Sequence, residues 1–157
     1  MKIEYKIYEK DFLEFQLFTA SKSYRINKKK KRGWILLVAV SVIIALLFHF
    51  NGNLLLTIYF ALVALLCGFF YPKYFNWKYK KHYKTYIKEY YSNRFGQTSY
   101  FEINECSIFT KDKTGETKIN LSEIEKIDEI QSHFFLKVSS GHSLIIPKIE
   151  LTNKNEL

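Results

Sequence analysis

The stretch from Gly33 to Pro72 contains no Asp, Glu, Lys or Arg, while the segments on both sides of it are crowded with Lys. Two apolar runs fill it, Trp34 to Phe50 and Leu54 to Tyr71. As helices rising about 1.5 Å per residue, each is about 26 Å long and covers the hydrocarbon core of a bilayer. Asn51-Gly52-Asn53 separates them, and a turn that short, with residues tolerant of left-handed backbone angles, makes the helices antiparallel neighbours. Both runs are apolar on every face, and 157 residues cannot supply a soluble core that surrounds two such helices. Residues 33–72 therefore read as a transmembrane helical hairpin.

Charge next to the spans sets the expected orientation. Residues 22–32 sum to +7, residues 73–94 to +6, and the turn carries no charge. By the positive-inside rule both termini are cytoplasmic. A cleaved signal peptide does not fit, because the apolar run starts at residue 34 and a second span follows at once. Residues 1–21 sum to −1 and residues 95–157 to −3, so the net +9 is a property of the juxtamembrane segments. That argues for cytoplasmic topology and against nucleic acid as a partner. Within the hairpin, Ser41 with Ala45 and Ala64 with Gly68 form small-xxx-small pairs for helix packing, inside the hairpin or between copies in a homo-oligomer.

The flanking segments divide the rest. Residues 1–8 alternate Ile3, Tyr5 and Ile7 with Lys2, Glu4 and Lys6, the period of a strand with one buried face. Residues 9–32 read as a helix leading to the membrane, opened by Asp11 and Glu14 in a capping-box spacing and breaking near Arg25 to Asn27. Residues 73–95 read as a basic, aromatic juxtamembrane helix with Phe75, Tyr79, Tyr83, Tyr86 and Tyr90 on one face. Such a helix packs on its own domain, lies on anionic lipid or forms a nucleic-acid surface, and direct attachment to a span favours the first two. The cations for headgroup contact are Lys28, Lys29, Lys30, Lys31 and Arg32 before the hairpin, and Lys78, Lys80, Lys81, Lys84 and Lys88 after it. Residues 96–157 read as a β domain: strands near 98–104, 106–111, 116–121, 133–139 and 142–146, while Leu121 to Ile130, with Ile124, Ile127 and Ile130 three apart, reads as a helical turn that returns to a strand near Glu129 to Ser132. Pro147 is expected to end the last strand or lie at a sheet edge.

The residues that carry chemistry in other proteins do not assemble here. Cys67 and Cys106 stand apart, with no Cys-x-x-Cys spacing. Asp112-Lys113-Thr114-Gly115 matches the start of a phosphoryl-acceptor motif, but Glu116 replaces its next Thr and the chain is too short for the domains that chemistry requires; a hairpin turn is the better reading. No phosphate-cradling glycine loop, nucleophile elbow or His-Glu-x-x-His occurs. His133 and His142 flank one hairpin, a spacing compatible with two metal ligands, yet surface histidines on a hairpin are ordinary. No catalytic residue, metal or cofactor is assigned.

The order of features resembles the YcxB-like family of bacterial membrane proteins. The residues that carry the resemblance are the opening strand followed by Tyr8-Glu9-Lys10-Asp11-Phe12, the hairpin after a basic run, and the closing strand Leu144-Ile145-Ile146-Pro147-Lys148. It implies a bacterial inner (cytoplasmic) membrane protein of membrane α+β class: a two-helix hairpin plus a small antiparallel β domain similar to bacterial pleckstrin-homology-like folds, the N-terminal strand included. Such a sheet is normally closed by a C-terminal helix. Residues after Pro147 offer hardly two turns, so the aromatic helix or the N-terminal helix is expected to cover that end. The functional expectation is a non-enzymatic membrane protein whose domain serves protein interaction or regulation through an unidentified protein partner. Two alternatives stand beside it, an immunity-type protein against a membrane-active or secreted toxin and an anionic-lipid sensing module.

Overall fold

The computed structural model describes residues 2–113 and 115–149. In chain order the elements are β1 (Lys2–Lys6), α1 (Glu9–Lys22), α2 (Tyr24–Phe50), α3 (Leu54–Tyr91), β2 (Thr98–Ile103), β3 (Ser107–Asp112), β4 (Gly115–Asn120), β5 (Ile124–Glu129), β6 (His133–Val138) and β7 (Ser143–Pro147). They form two compact units, one of Met1–Gln16 with Lys84–Leu157 and the other of Leu17–Tyr83.

The first unit holds two antiparallel sheets, one ordered β1-β2-β3-β4 and the other β5-β6-β7. In β1, Ile3 and Tyr5 are buried and Lys2, Glu4 and Lys6 exposed, the alternation a strand with one apolar face requires. A single hydrophobic cluster joins Ile3, Tyr5, Phe101, Ile108 and Ile119 of the four-stranded sheet to Leu136, Val138 and Ile146 of the three-stranded one. Full burial of such a side chain contributes roughly 1.5–3 kcal/mol. Burial pushes the Tyr5 phenol up to about 12, with the Asp112 carboxylate adding to the shift.

The segment from Leu121 departs from its sequence reading. Only Leu121–Glu123 is helical, and the strand begins at Ile124 rather than near Glu129. The Ile124-Ile127-Ile130 spacing that imitates a helix comes with a register shift between Ile124 and Lys126, after which Ile127 pairs with Leu136; Ile127 itself is exposed. Pro147 does end β7, opposite His133, on an edge strand where no ladder donor is needed.

The start of α1 also differs. Tyr8 N–H donates to Asp11 Oδ2 at 2.7 Å, so Asp11 is the carboxylate reaching back over the first turn, not the residue that opens the box. Glu14 is left for other partners. Phe15 meets Phe135 of β6 edge-on at 5.2 Å, and Phe12 lies 5.0 Å from Tyr91 and 6.0 Å from Phe95. The start of α1 is thus the element that packs on β6. The expectation that residues after Pro147 offer hardly two helical turns falls, from residue 150 on, outside the described residues.

In the second unit α2 and α3 are joined by Asn51-Gly52-Asn53. Gly52 takes φ +72, the left-handed angle the turn demands, and donates to the His49 carbonyl at 3.0 Å. The break before α2 falls at Ser23, two residues earlier than expected, where the Ser23 hydroxyl caps Ile26 N–H. Ser41, Ala45 and Ala64 are buried, and Phe48 stacks on Phe60 at 5.7 Å.

The helix expected at 73–95 is present to Tyr91 and is continuous with the second apolar run. α3 runs unbroken through Pro72 to Tyr91. Proline at 72 removes the N–H that would bond the Gly68 carbonyl four residues back. Trp34 Nε1–H of α2 donates to that carbonyl at 3.0 Å instead.

Candidate functional site

Arg25, Lys28, Lys29 and Arg32 follow one another on α2 at spacings of three, one and three, which puts all four on one helical face. Gly33 and Leu36 continue that face into the apolar segment. On α3 the facing residues are Tyr71, Tyr74, Phe75, Lys78, Tyr79 and His82. Together with Tyr24 these line a cleft of about 930 Å³. No Asp or Glu is among the lining residues.

Aromatic stacking fixes the α3 wall. Tyr71, Phe75, Tyr79 and Tyr83 recur every four residues, with ring centroids 6.1, 4.5 and 6.0 Å apart in turn. The Tyr83 phenol is held above its ordinary value, first by burial and then by Tyr79. On the α2 wall the Lys28 ammonium stands over the Tyr24 ring at 5.3 Å. Gly33 admits the Tyr71 side chain, since a Cβ at position 33 would collide with the phenol oxygen.

The cations singled out from sequence therefore separate into groups. Lys28, Lys29, Arg32 and Lys78 line the cleft, and Arg25 and His82, absent from that set, join them. Lys30 instead donates to Asn76 Oδ1 at 2.9 Å. Lys31 and Lys80 are exposed outside the cleft, and Lys81 stands over Trp77 at 5.5 Å. Lys84 and Lys88 belong to the two-sheet unit, where Lys88 lies 3.9 Å from Glu9. Of the four helix-packing residues, Ser41, Ala45 and Ala64 are buried, while a Cβ at Gly68 would meet open space. The expected aromatic face holds through Tyr83, but Ile87 and Tyr91 then take the inward positions and the exposed Tyr86 and Tyr90 pair with each other at 4.7 Å. Extending the strict spacing of four would have found Ile87.

A second constellation was not legible in the sequence. His133, 4 % exposed, places Nε2 3.1 Å from Oδ1 of Asp11, 2 % exposed. Its Nδ1 lies 2.8 Å from Ser132 Oγ and 3.4 Å from Glu14 Oε2. The Ser132 hydroxyl donates to Glu14 Oε1 at 2.6 Å. Ser, His and Asp share a site, but the Ser132 proton is committed to Glu14, so the arrangement is a polar clamp holding α1 on β6.

The two-ligand metal reading of the last hairpin is overturned. His133 pairs with Pro147 at one end, whereas the exposed His142 lies at the other end beside Ser140 Oγ at 3.2 Å. Among the described residues no group of three or more His, Cys, Asp or Glu is arranged for a metal. Asp112 and Gly115 pair at the β3–β4 turn, where Gly115 N–H donates to Asp112 Oδ1 at 3.1 Å. Cys67 and Cys106 are free thiols. The two-sheet unit has its own cleft of about 440 Å³, in which Arg94, Lys111 and His142 stand among Asp112 and Glu116. Lys111 holds its proton more tightly than usual because Glu116 bonds and faces it.

These features define an α+β protein with two antiparallel sheets and two helices long and apolar enough to cross a membrane. Residues 103–157, about a third of the chain, match the family model described as YcxB-like protein. The closing strand that carried part of the resemblance lies inside it; Tyr8 to Phe12 and the hairpin lie outside it. No curated protein and no solved structure matches the chain.

Proposed function

We propose that this chain is a non-enzymatic integral membrane protein in which the α2–α3 hairpin anchors a cytoplasmic, pleckstrin-homology-like domain that serves protein interaction or regulation. The observation that carries the reading is the pairing of β1 with β2 in full register, Lys2 with Glu102 through Lys6 with Thr98, although the hairpin lies between them in the chain. One folded domain cannot straddle a bilayer. A chain that leaves the sheet after β1 and rejoins it at β2 therefore crosses an even number of times. Two crossings with both ends on one side agree with the positive flanks.

Further support comes from exposure. In the most apolar windows of the two helices only 11 % and 6 % of the residues are buried, which is unlike the core helix of a soluble protein.

Labelling in sealed inside-out and right-side-out vesicles tests the anchor. In a Cys67→Ala background, the exposed Cys106 is expected to react from the cytoplasmic side only, and a cysteine placed at Asn51 from the other side only. Reaction of both from one side overturns the topology. For the interaction role, a stoichiometric partner is expected to co-purify in mild detergent and to be lost when Phe135→Ala loosens the two-sheet unit. A protein recovered alone, with activity of its own, overturns that role.

A further inference from the structure

We infer that the cleft between α2 and α3 is a binding site for the phosphate-bearing headgroup of an anionic lipid. The inference rests on the reading of the hairpin as membrane-spanning. Four of the cations around the cleft, Arg25, Lys28, Lys29 and Arg32, come from one face of α2, and Lys78 answers them from α3. No carboxylate lines the cleft to neutralise them. The N-terminal turn of α2, which includes Arg25, has no acidic residue, and the positive end of the helix dipole adds to the same locus. An anion at that point satisfies both the side chains and the dipole, as at other helix starts that receive phosphates.

The apolar half of the cleft distinguishes a lipid from a soluble anion. Arg32 is followed directly by Gly33 and the charge-free run, and Leu36 and Tyr71 line the same cleft as the cations. A ligand that fills it is anionic at one end and apolar at the next. Phospholipid presents that order at the depth where a span meets its basic flank. A nucleic acid would need its charge continued along the groove, where the cleft instead turns apolar.

The same geometry sorts the lysines of the two helices. Lys31 and Lys80 lie next to cleft residues in sequence but outside the cleft. General attraction to an anionic surface would use them equally, whereas a site would not.

The experiment uses the full-length protein in nanodiscs of phosphatidylcholine, alone or with phosphatidylglycerol or cardiolipin, and native mass spectrometry counts the lipids retained on release. Wild type is expected to retain anionic lipid. Arg32→Gln with Lys78→Gln is expected to weaken retention about 25-fold, from about fivefold per cation. Lys31→Gln with Lys80→Gln removes the same charge and is expected to leave retention unchanged. Equal losses in the two pairs overturn the site in favour of diffuse surface charge. Displacement of the lipid by inorganic phosphate or a short oligonucleotide at matched ionic strength overturns the assignment to lipid. Failure of the wild-type protein to insert into nanodiscs overturns the membrane reading, a result separate from insertion without retention.

Discussion

The indole N–H of Trp34 donates to the carbonyl of Gly68 at 3.0 Å, four residues before Pro72. Proline cannot close that helical turn, so the carbonyl would be left open where α3 is most apolar. The indole of the facing helix supplies the missing donor. One hydrogen bond thereby lets α3 continue through a proline and ties it to α2.

Trp34→Phe keeps the ring and removes the donor. It is expected to destabilise the hairpin by about 1–2 kcal/mol, read as a lower melting temperature in detergent. In a Pro72→Ala background the helix bonds its own carbonyl, and the same substitution is expected to cost under about half as much. Equal losses in both backgrounds would show that Trp34 acts by packing alone.

The clamp between α1 and β6 makes a second prediction. Asp11 accepts from Tyr8 N–H and meets His133, and both carboxylate and imidazole are buried. Asp11→Ala is expected to destabilise the two-sheet unit by about 3 kcal/mol. Glu14 has 45 % of its side chain exposed, and Glu14→Gln is expected to cost no more than about 1 kcal/mol. Hydrogen exchange of the β6 amides measures both, with faster exchange in the first variant only.

Alkaline pH gives a third. The Tyr5 phenol is raised from 10.0 to about 12, chiefly by burial and then by Asp112. The folded state therefore keeps a proton that the unfolded state releases. Stability from this source is fully present below pH 10 and is lost as pH rises through about 12, a loss on the order of 2 kcal/mol. Denaturant titrations across that window are expected to fall steeply in wild type and less steeply in Tyr5→Phe. Identical slopes would contradict the burial argument.

The contact of Gly33 with Tyr71 gives a fourth. Alanine at 33 gains about 0.5–1 kcal/mol of helix propensity but collides with the Tyr71 hydroxyl. Gly33→Ala is expected to show no net gain in wild type and a gain of that size in a Tyr71→Phe background, measured by melting in detergent.

Residue patterns alone place much of this architecture. Every strand of the two-sheet unit except β5 was legible to within a residue or two, because alternation and glycine turns are local signals. The helical hairpin was legible for the same reason, since absence of charge over two spans is a property of consecutive residues. Local signals failed where a partner distant in sequence decides the outcome. How α3 continues through Pro72 depends on Trp34, which bonds the Gly68 carbonyl from the facing helix. Asp11 reads as the opening of a capping box until Tyr8 and His133 claim its two oxygens. Ile124, Ile127 and Ile130 read as helical until the pairing with β6 shows the bulge.

The candidate site divides in the same way. Basic residues beside the spans are countable in the sequence, and the four on α2 share a face by periodicity alone. Which lysines of α3 join them depends on how two helices rotate against each other, and Lys78 lines the cleft while Lys80 does not. The Asp11–His133 pair spans most of the chain and has no local signature. The sequence by itself determined the two long apolar helices, their flanking charge and most of the strands, because hydropathy and period are set by neighbours along the chain. Only the tertiary structure decided which polar groups meet, because burial, donor replacement and cleft geometry depend on residues that folding brings together.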